Sequence, residues 1–411
     1  MTAPRKRIGW RVWAVGAVCV AAMAGVAIFA SRPTNDPRAI WIRANQALEA
    51  NRLDEVESDI ARLTSLRDPT PEDLMLRGQL QIAREQVDEA IATLSRIPKS
   101  NPLASMAEYQ MGRLELRRRR VRKAEEHYLE AIRLEPDGVR PRRELIYIYG
   151  MQSRWKELAA QFRGLAKLGA VKVDDVILWC LTRSVTWRPE EITADLQGWA
   201  DADPDDRWSR LALAENLSRR QYVDEAEKAV ASLPLEDPDV LAFIARLAME
   251  RGETDRAEAM LKPGPERHPG LARLRGRLAL NRREGEEALR QFRIAHELEP
   301  DHRDTLNGLA QALSMLGKAE EAKPFQRLTK DYDALGALIE RLAGKAIPRT
   351  AAFFKELGAA YEAVGRLEEA RAWYGLVIAE DPLDVSAQRS LFRLDRLIET
   401  AEADASKSKA R

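Results

Sequence analysis

Large apolar, small and polar residues recur at helical spacing in Ala351–Asp384, which predicts two short helices joined by a tight turn. Gly365 suits that turn because glycine accepts the positive φ that ends a helix. Pro382 cannot continue a helix and biases Asp381 away from helical geometry, so it predicts the end of the second helix. The segment therefore reads as one helix–turn–helix unit, whose small residues let the two backbones approach closely.

Further copies of this unit can be laid over most of the chain, and we count ten between residues 37 and 384. Ser105–Gly138 and Pro269–His302 are clear copies, with small residues at the crossing positions. Val139–Lys172 carries Ile146 and Leu158 at those positions, and Val173–Asp206 carries Cys180 and Ile192. An interruption near residues 337–350 predicts an extended or additional helix before Pro348 stops it.

The unit resembles the tetratricopeptide repeat, whose pattern is W-x2-L-G-x2-Y, then A-x3-F, then P. The positions that carry the resemblance are Phe354, Leu357-Gly358, Tyr361, Ala370, Tyr374 and Pro382. The resemblance implies an all-α fold, a right-handed superhelical solenoid of about ten repeats in which neighbouring units bury each other's apolar faces. It also implies that the first helices of successive repeats line a concave groove that holds a peptide or extended segment.

The N-terminus predicts one transmembrane helix, because Val12–Ala30 is uncharged and follows a basic segment at residues 1–11. The basic flank places the N-terminus in the cytoplasm and the repeats on the non-cytoplasmic side, periplasmic or extracellular. Residues 31–36 read as a linker. The alternative is a signal peptide cleaved after Ala30, which would release the repeats as a soluble exported protein.

The C-terminus predicts a helix over Val385–Glu399 that caps the last repeat, with Leu391, Leu394 and Leu397 on one face. Residues 400–411 read as a disordered tail.

Composition narrows the classes of function. The chain has 411 residues, 45% hydrophobic and 32% charged, with a net charge of +1, which argues against a general nucleic-acid binder. The two cysteines, Cys19 and Cys180, and the four histidines have no disulfide or metal-ligand spacing. No nucleotide-binding or nucleophile motif is present, so we expect no enzyme activity, cofactor, metal or small-molecule substrate.

The densest basic region follows the predicted groove faces of two adjacent repeats and continues into the turn at 117–123. One interpretation is a groove for an acidic or carboxylate-bearing segment, since Arg pairs carboxylates through two hydrogen bonds. The other is a solvated turn in an Arg-rich protein. The candidate partner-binding residues are Tyr109, Arg113, Arg117, Arg140, Arg143, Tyr147 and Trp208. The family's clamp for chaperone tails is not carried over, because its Lys and Asn positions hold Tyr109, Glu144 and Asp174.

Tryptophans concentrate in the middle of the chain and could form an exposed partner patch or fill space where the small crossing residues are missing. They are Trp155, Trp179, Trp187, Trp199 and Trp208.

The sequence therefore supports three hypotheses. The first is a membrane-anchored scaffold that docks a protein or peptide. The second is an exported chaperone-like or assembly factor for envelope proteins. The third is a structural role in which the solenoid packs on itself or within a large complex.

Overall fold

The computed structural model describes residues 35–182, 189–343 and 350–409, and these residues form α-helices with no β-strand. The all-α class is confirmed. In chain order the helices are α1 (Pro37–Glu49), α2 (Leu53–Leu66), α3 (Pro71–Ala83), α4 (Val87–Leu94), α5 (Ala104–Arg117), α6 (Val121–Leu134), α7 (Val139–Met151), α8 (Trp155–Lys167), α9 (Val173–Thr182), α10 (Pro189–Ala202), α11 (Arg207–Arg219), α12 (Val223–Val230), α13 (Pro238–Glu250), α14 (Thr254–Leu261), α15 (Pro269–Asn281), α16 (Gly285–Leu298), α17 (Arg303–Met315), α18 (Ala319–Ala343), α19 (Ala351–Ala363), α20 (Leu367–Glu380) and α21 (Val385–Lys409).

The chain divides inside α5 into two compact units, Met1–Met111 and Gly112–Arg411. The predicted membrane helix, Val12–Ala30, lies outside the described residues. Within the described ranges, no helix has the length and apolar character needed to cross a membrane.

The first unit contains two helix hairpins, α1 with α2 and α3 with α4. Asp36 and Thr70 cap the first helix of each hairpin, and a proline follows each cap at the first helical position. Ala44 and Ala47 are fully buried at the contact of α1 with α2. A Cβ at Gly78 would lie 2.6 Å from the Leu94 side chain, so the second hairpin depends on that glycine.

The second unit repeats the same hairpin from α11 to α20, and α15 with α16 shows why it forms. A Cβ on Gly276 would lie 2.9 Å from the Phe292 ring, and a Cβ on Gly308 of α17 would overlap the same ring. Phe292 is 1% exposed. One large ring therefore fills the space that two glycines leave, within a hairpin and between neighbouring hairpins.

Each hairpin turn places one residue in the left-handed region, as predicted for Gly365, whose φ is 77°. Gly252 and Gly317 have φ of 79° and 72° in the corresponding turns. The other turns use residues with a side chain, at a cost of roughly 1–2 kcal/mol each. They are Asn51, Glu85, Arg119, Ser153, Gln221 and Arg283, with φ between 55° and 67°.

Helix α9 departs from the predicted repeat Val173–Asp206. The main partners of α9 are α20 and α18, with a smaller contact on α7, whereas α10 packs chiefly on α11. Val176, Ile177 and Cys180 belong to one buried cluster with residues of α18 to α21, including Tyr361 and Trp373. Cys180, one of the two residues predicted at the crossing positions, and Ile177 instead fill a gap in the C-terminal repeat. We call this packing of α8 and α9 on α18–α21 the closure.

Two long helices lie at the C-terminal end of the second unit. Helix α18 has 25 residues and runs through the interruption noted in the sequence as far as Ala343. Its last turns bury Leu335, Ile339 and Leu342 in the closure. Helix α21 also has 25 residues and continues to Lys409, in place of the disordered tail predicted from Thr400. The alanine-rich sequence after Glu399 favours that continuation.

The predicted cap face of α21 is only partly buried. Leu394 is fully buried and Leu391 is half-buried, but Leu397 is 46% exposed and Phe392 is 67% exposed.

Candidate functional site

Helices α5 and α7 carry six of the seven predicted partner-binding residues, and Trp208 lies at the start of α11. Tyr109 is half-buried and belongs to the first unit, whereas the other six belong to the second.

Arg113, Arg117 and Arg140 present exposed side chains. Arg117 and Arg140 have no hydrogen bond or ion pair with any described residue. These two guanidinium groups keep all their donors available, which is the property that binding an acidic segment requires.

Arg143 is engaged inside the protein. Its Nη2 donates to the Ala170 carbonyl at 3.0 Å and to Asp175 at 3.1 Å. The same Asp175 carboxylate accepts the backbone N–H of Lys172 at 2.9 Å. Arg143 therefore anchors the start of α9, and its charge is already paired.

Tyr147 packs edge-on against Trp199 of α10, with ring centroids 5.9 Å apart and an interplanar angle of 84°. Burial and the neighbouring Asp195 carboxylate raise the pKa of its hydroxyl. The Tyr147 ring, predicted to contact a partner, thus already contacts α10.

Trp208 lies between two guanidinium groups, with Arg207 at 4.2 Å and Arg154 at 5.1 Å from the ring. Arg154 in turn forms an ion pair with Glu125 at 2.7 Å. The ring is half-buried and also packs against the buried cluster that contains Leu211 and Phe243, so its contacts within the chain are both cation–π and apolar.

A buried polar network, which no sequence motif predicts, lies beside Trp208. Gln152 is 4% exposed, and its Nε2 donates to Asp206 at 3.2 Å and to Ser209 at 3.0 Å. Ser209 also donates to Asp206 at 2.6 Å. These residues are 54 and 57 positions apart in sequence, so no local spacing could reveal the network.

The basic turn after α5 is largely occupied by internal contacts. Arg119 lies against Gly198 of α10, and Arg120 is 3.8 Å from Glu115. Arg122 donates twice to Asp203, at 3.0 Å each. The turn therefore serves mainly to hold α10, and the basic side chains near it that pair with no described residue are Arg117, Lys123 and Arg140.

Among the tryptophans, Trp179 and Trp199 are 3% and 4% exposed, whereas Trp155 and Trp208 are half-buried. Trp187 lies outside the described residues. Trp179 stacks on Phe162, with centroids 4.5 Å apart and planes 9° from parallel. The buried members fill space, as the packing interpretation holds.

A pocket of about 500 Å³ lies in the closure, and no local motif predicts it. Its walls come from α8, α9, α20 and α21, so it forms from segments some 200 residues apart, as the 205-residue separation of Arg163 and Glu368 shows.

In the described part of the chain, no three His, Cys, Asp or Glu side chains converge as a metal site would require. His268 instead caps α15, where its ring accepts the Leu271 N–H and contacts Asp239 at 3.0 Å.

Two segments, residues 75–138 and 273–333, match the family model of the tetratricopeptide repeat. The sequence matches no curated protein.

Solved structures share only a distant likeness with the chain. A chain of the APC/C hetero-tetramer Cut9-Hcn1 is 14% identical, with 94% of this chain and 95% of that chain covered and a TM-score of 0.38. A tetratricopeptide repeat protein from Parabacteroides merdae is 17% identical over 59% of this chain and 98% of that one, with a TM-score of 0.32. A monomeric mutant of IFIT1 with Gppp-AAAA is 13% identical, covering 84% and 95%, with a TM-score of 0.34. TM-scores this low carry no further argument.

The family match and the helix hairpins agree where they overlap. The prediction of tetratricopeptide repeats is therefore confirmed: the chain contains them in residues 75–138 and 273–333.

Proposed function

We propose that this protein is a scaffold that binds a segment of another protein through its tetratricopeptide repeats, without catalysing a reaction. The observation that carries the proposal is the pair of exposed guanidinium groups of Arg117 and Arg140, neither of which pairs with a residue that the structure describes. Both side chains lie in the second unit, and Arg140 is on the same helix, α7, as the half-buried Tyr147.

The chemistry of these two residues favours an acidic partner segment. A carboxylate can accept two parallel N–H bonds from one guanidinium group, which gives both charge selection and a preferred orientation. Arg143 and Trp208 support the site from inside, since Arg143 fixes the start of α9 and Trp208 is held between two arginines. Direct contact with the partner is thus assigned to Arg113, Arg117 and Arg140, with Tyr147 as an aromatic residue of the same unit.

The membrane anchor is also a proposal, and it depends on the uncharged run Val12–Ala30 and its basic flank. A retained anchor would hold the repeats on the non-cytoplasmic side of the membrane. Sequencing the N-terminus of the mature protein tests this directly. A mature protein that begins at Ser31 would support the exported chaperone-like factor instead.

The binding site is tested by crosslinking from the exposed face in intact cells, followed by mass spectrometry, with two charge-reversed variants. Arg117→Glu/Arg140→Glu removes both free guanidinium groups. Arg327→Glu/Lys330→Glu makes the same change in net charge at two exposed residues of α18. We expect the first variant to lose at least tenfold of the affinity for the captured acidic segment, and the second to bind as the wild type does.

Unchanged capture by Arg117→Glu/Arg140→Glu would overturn the assignment. A broad set of unrelated clients, lost equally in both variants, would favour the chaperone-like function.

A further inference from the structure

The pocket in the closure has walls from two segments of the second unit that are far apart in sequence. Phe162, Ala166 and Gly169 lie on the side of α8, Trp179 lies on α9, and the opposite wall comes from α20 and α21. Its volume of about 500 Å³ falls within the range of small-molecule sites.

The floor of this pocket is apolar and built from rings and small side chains. Phe162 and Trp179 are stacked and almost completely buried. Opposite them, α20 presents Ala372, Gly375 and Ala379, one or two turns apart. The floor therefore offers apolar contact area and few hydrogen-bonding groups.

Gly375 shows that the space beside α20 is empty rather than packed. A Cβ built on Gly375 meets no atom within 4 Å, whereas a Cβ on Gly276 or Gly308 in the regular hairpins would overlap a ring. In the regular hairpins, an aromatic ring fills the space that the missing glycine side chain leaves. At Gly375 that room stays open and faces the pocket.

The charges at the mouth of the pocket are balanced. Arg163 pairs with Glu368 at 2.7 Å, and Arg371 pairs with Asp395. Lys167 and Glu399, both exposed, add one charge of each sign. A charged ligand would have to displace an existing ion pair, whereas an uncharged ligand leaves both pairs intact.

We propose that this pocket binds an uncharged, largely apolar small molecule. The proposal is independent of the peptide site, because none of the pocket residues belongs to the set around Arg117 and Arg140. Since the two walls come from opposite sides of the closure, a bound ligand also holds α8 and α9 against α20 and α21.

The test uses Nile red, an uncharged apolar dye, as the probe on the full-length protein in detergent-free buffer, or in nanodiscs with empty nanodiscs as the blank, because the dye also partitions into lipid. We expect saturable binding of one dye per chain. Gly375→Leu places a side chain in the pocket and should weaken binding at least tenfold. Gly336→Leu is the matched control, because Gly336 is also a helical glycine with no atom within 4 Å of its Cβ and lies away from the pocket.

Ala166→Leu fills the pocket from the α8 wall and serves if Gly375→Leu does not fold, as judged by circular dichroism and thermal melting. No saturable binding to the wild type, or equal binding by the pocket-filling variants, would overturn the proposal.

A second measurement tests the link to the closure. In a Cys19→Ser background, Cys180 is buried in the closure and reacts with a maleimide only when the closure opens. Saturating Nile red should slow the labelling of Cys180 severalfold in the wild type and leave it unchanged in Gly375→Leu. Labelling that the dye does not slow would contradict a ligand that spans the closure.

Discussion

Two regions of the second unit begin from the same repeat pattern and end differently. In α15–α17, Gly276 and Gly308 both receive the Phe292 ring, and each helix packs on its neighbours in sequence. In α7–α10, the small crossing residues are replaced by Ile146, Leu158, Cys180 and Ile192. Helices α7 and α8 still form a hairpin, but α9 packs on a repeat near the C-terminus.

The difference shows what the small residues decide. A glycine at the crossing point matches one ring of the adjacent helix, so it specifies the local partner. A medium-sized residue such as Cys180 leaves the local partner unspecified and fits a gap elsewhere, here beside Tyr361 and Trp373. Regular repeats are thus fixed by local geometry, and the closure is fixed by complementarity between distant segments.

The largest effect should come from removing the centre of the closure. Trp373 is fully buried, 5.3 Å from the Phe354 ring, so Trp373→Ala should destabilise the protein by about 3–5 kcal/mol. Chemical denaturation followed by circular dichroism measures this. Phe392→Ala is the control, because that ring is 67% exposed. A loss under about 1 kcal/mol for Trp373→Ala would mean that the closure contributes little, given the usual cost of such a cavity.

A smaller effect is expected in the regular region from one added methyl group. Gly308→Ala forces the methyl into the Phe292 ring, which should cost about 1–3 kcal/mol. Gly336→Ala has open space around the new methyl and should gain up to about 1 kcal/mol. Adding Phe292→Leu should recover part of the loss in Gly308→Ala; equal losses with and without it would exclude the ring as the cause.

The closure should also weaken at high pH. Burial raises the pKa of the Cys180 thiol from 9.0 to about 12, because the thiolate cannot be solvated there. Above pH 9 the unfolded chain loses this proton while the folded chain keeps it. The contribution of the protonated Cys180 thiol to the free energy of unfolding is therefore fully present below pH 9. It is lost as the pH rises towards 12, at about 1.4 kcal/mol per pH unit.

Comparing the unfolding free energies of Cys19→Ser and Cys19→Ser/Cys180→Ala between pH 8 and pH 11 isolates the Cys180 thiol together with its hydrogen-bonded neighbour Tyr361, whose pKa the thiol also raises; the titrations that the two proteins share cancel. Above pH 9, the unfolding free energy of the protein that keeps Cys180 should fall steadily relative to that of the Cys180→Ala variant. A constant difference would show that Cys180 is not buried as a thiol.

The smallest effect belongs to the ion pair at the edge of the closure. Arg163 and Glu368 are partly exposed, with 43% and 27% of the side chains accessible, so a double-mutant cycle should give about 0.2–1 kcal/mol. Arg290 and Glu266, 2.7 Å apart in the regular region, provide the matched pair. Both couplings should fall with added salt, but only the first should change the labelling rate of Cys180. Equal labelling would mean that the pair lies outside the closure's opening motion.

The sequence was sufficient for most of the described helices and for the turns that contain glycine. Proline at the first helical position marks α13 and α15, and glycine marks the turns at Gly252, Gly317 and Gly365, because both residues act through local backbone geometry. The same reasoning located Arg117 and Arg140 on exposed helix faces. These predictions needed no knowledge of distant contacts.

The contacts of α9 and α10 could not be predicted. Helix phase predicts that Arg143 and Tyr147 contact a partner. In the structure, Arg143 instead pairs with Asp175 and Tyr147 packs on Trp199. The 81-residue separation of Arg122 and Asp203 shows how far such pairs lie apart. Helix periodicity states which face is buried, but not which segment buries it.

The closure also imposes an order of events during synthesis. Arg163 and Glu368 are 205 residues apart, which corresponds to roughly 10–40 s of translation at typical rates. Helix α9 must therefore wait for α20 with the apolar side chains of Val176, Ile177 and Cys180 lacking their final partners. Most repeat proteins can form their contacts as each neighbour appears. In this chain, α9 cannot form its native contacts until α20 has been synthesised. We therefore expect the nascent chain to need protection from aggregation.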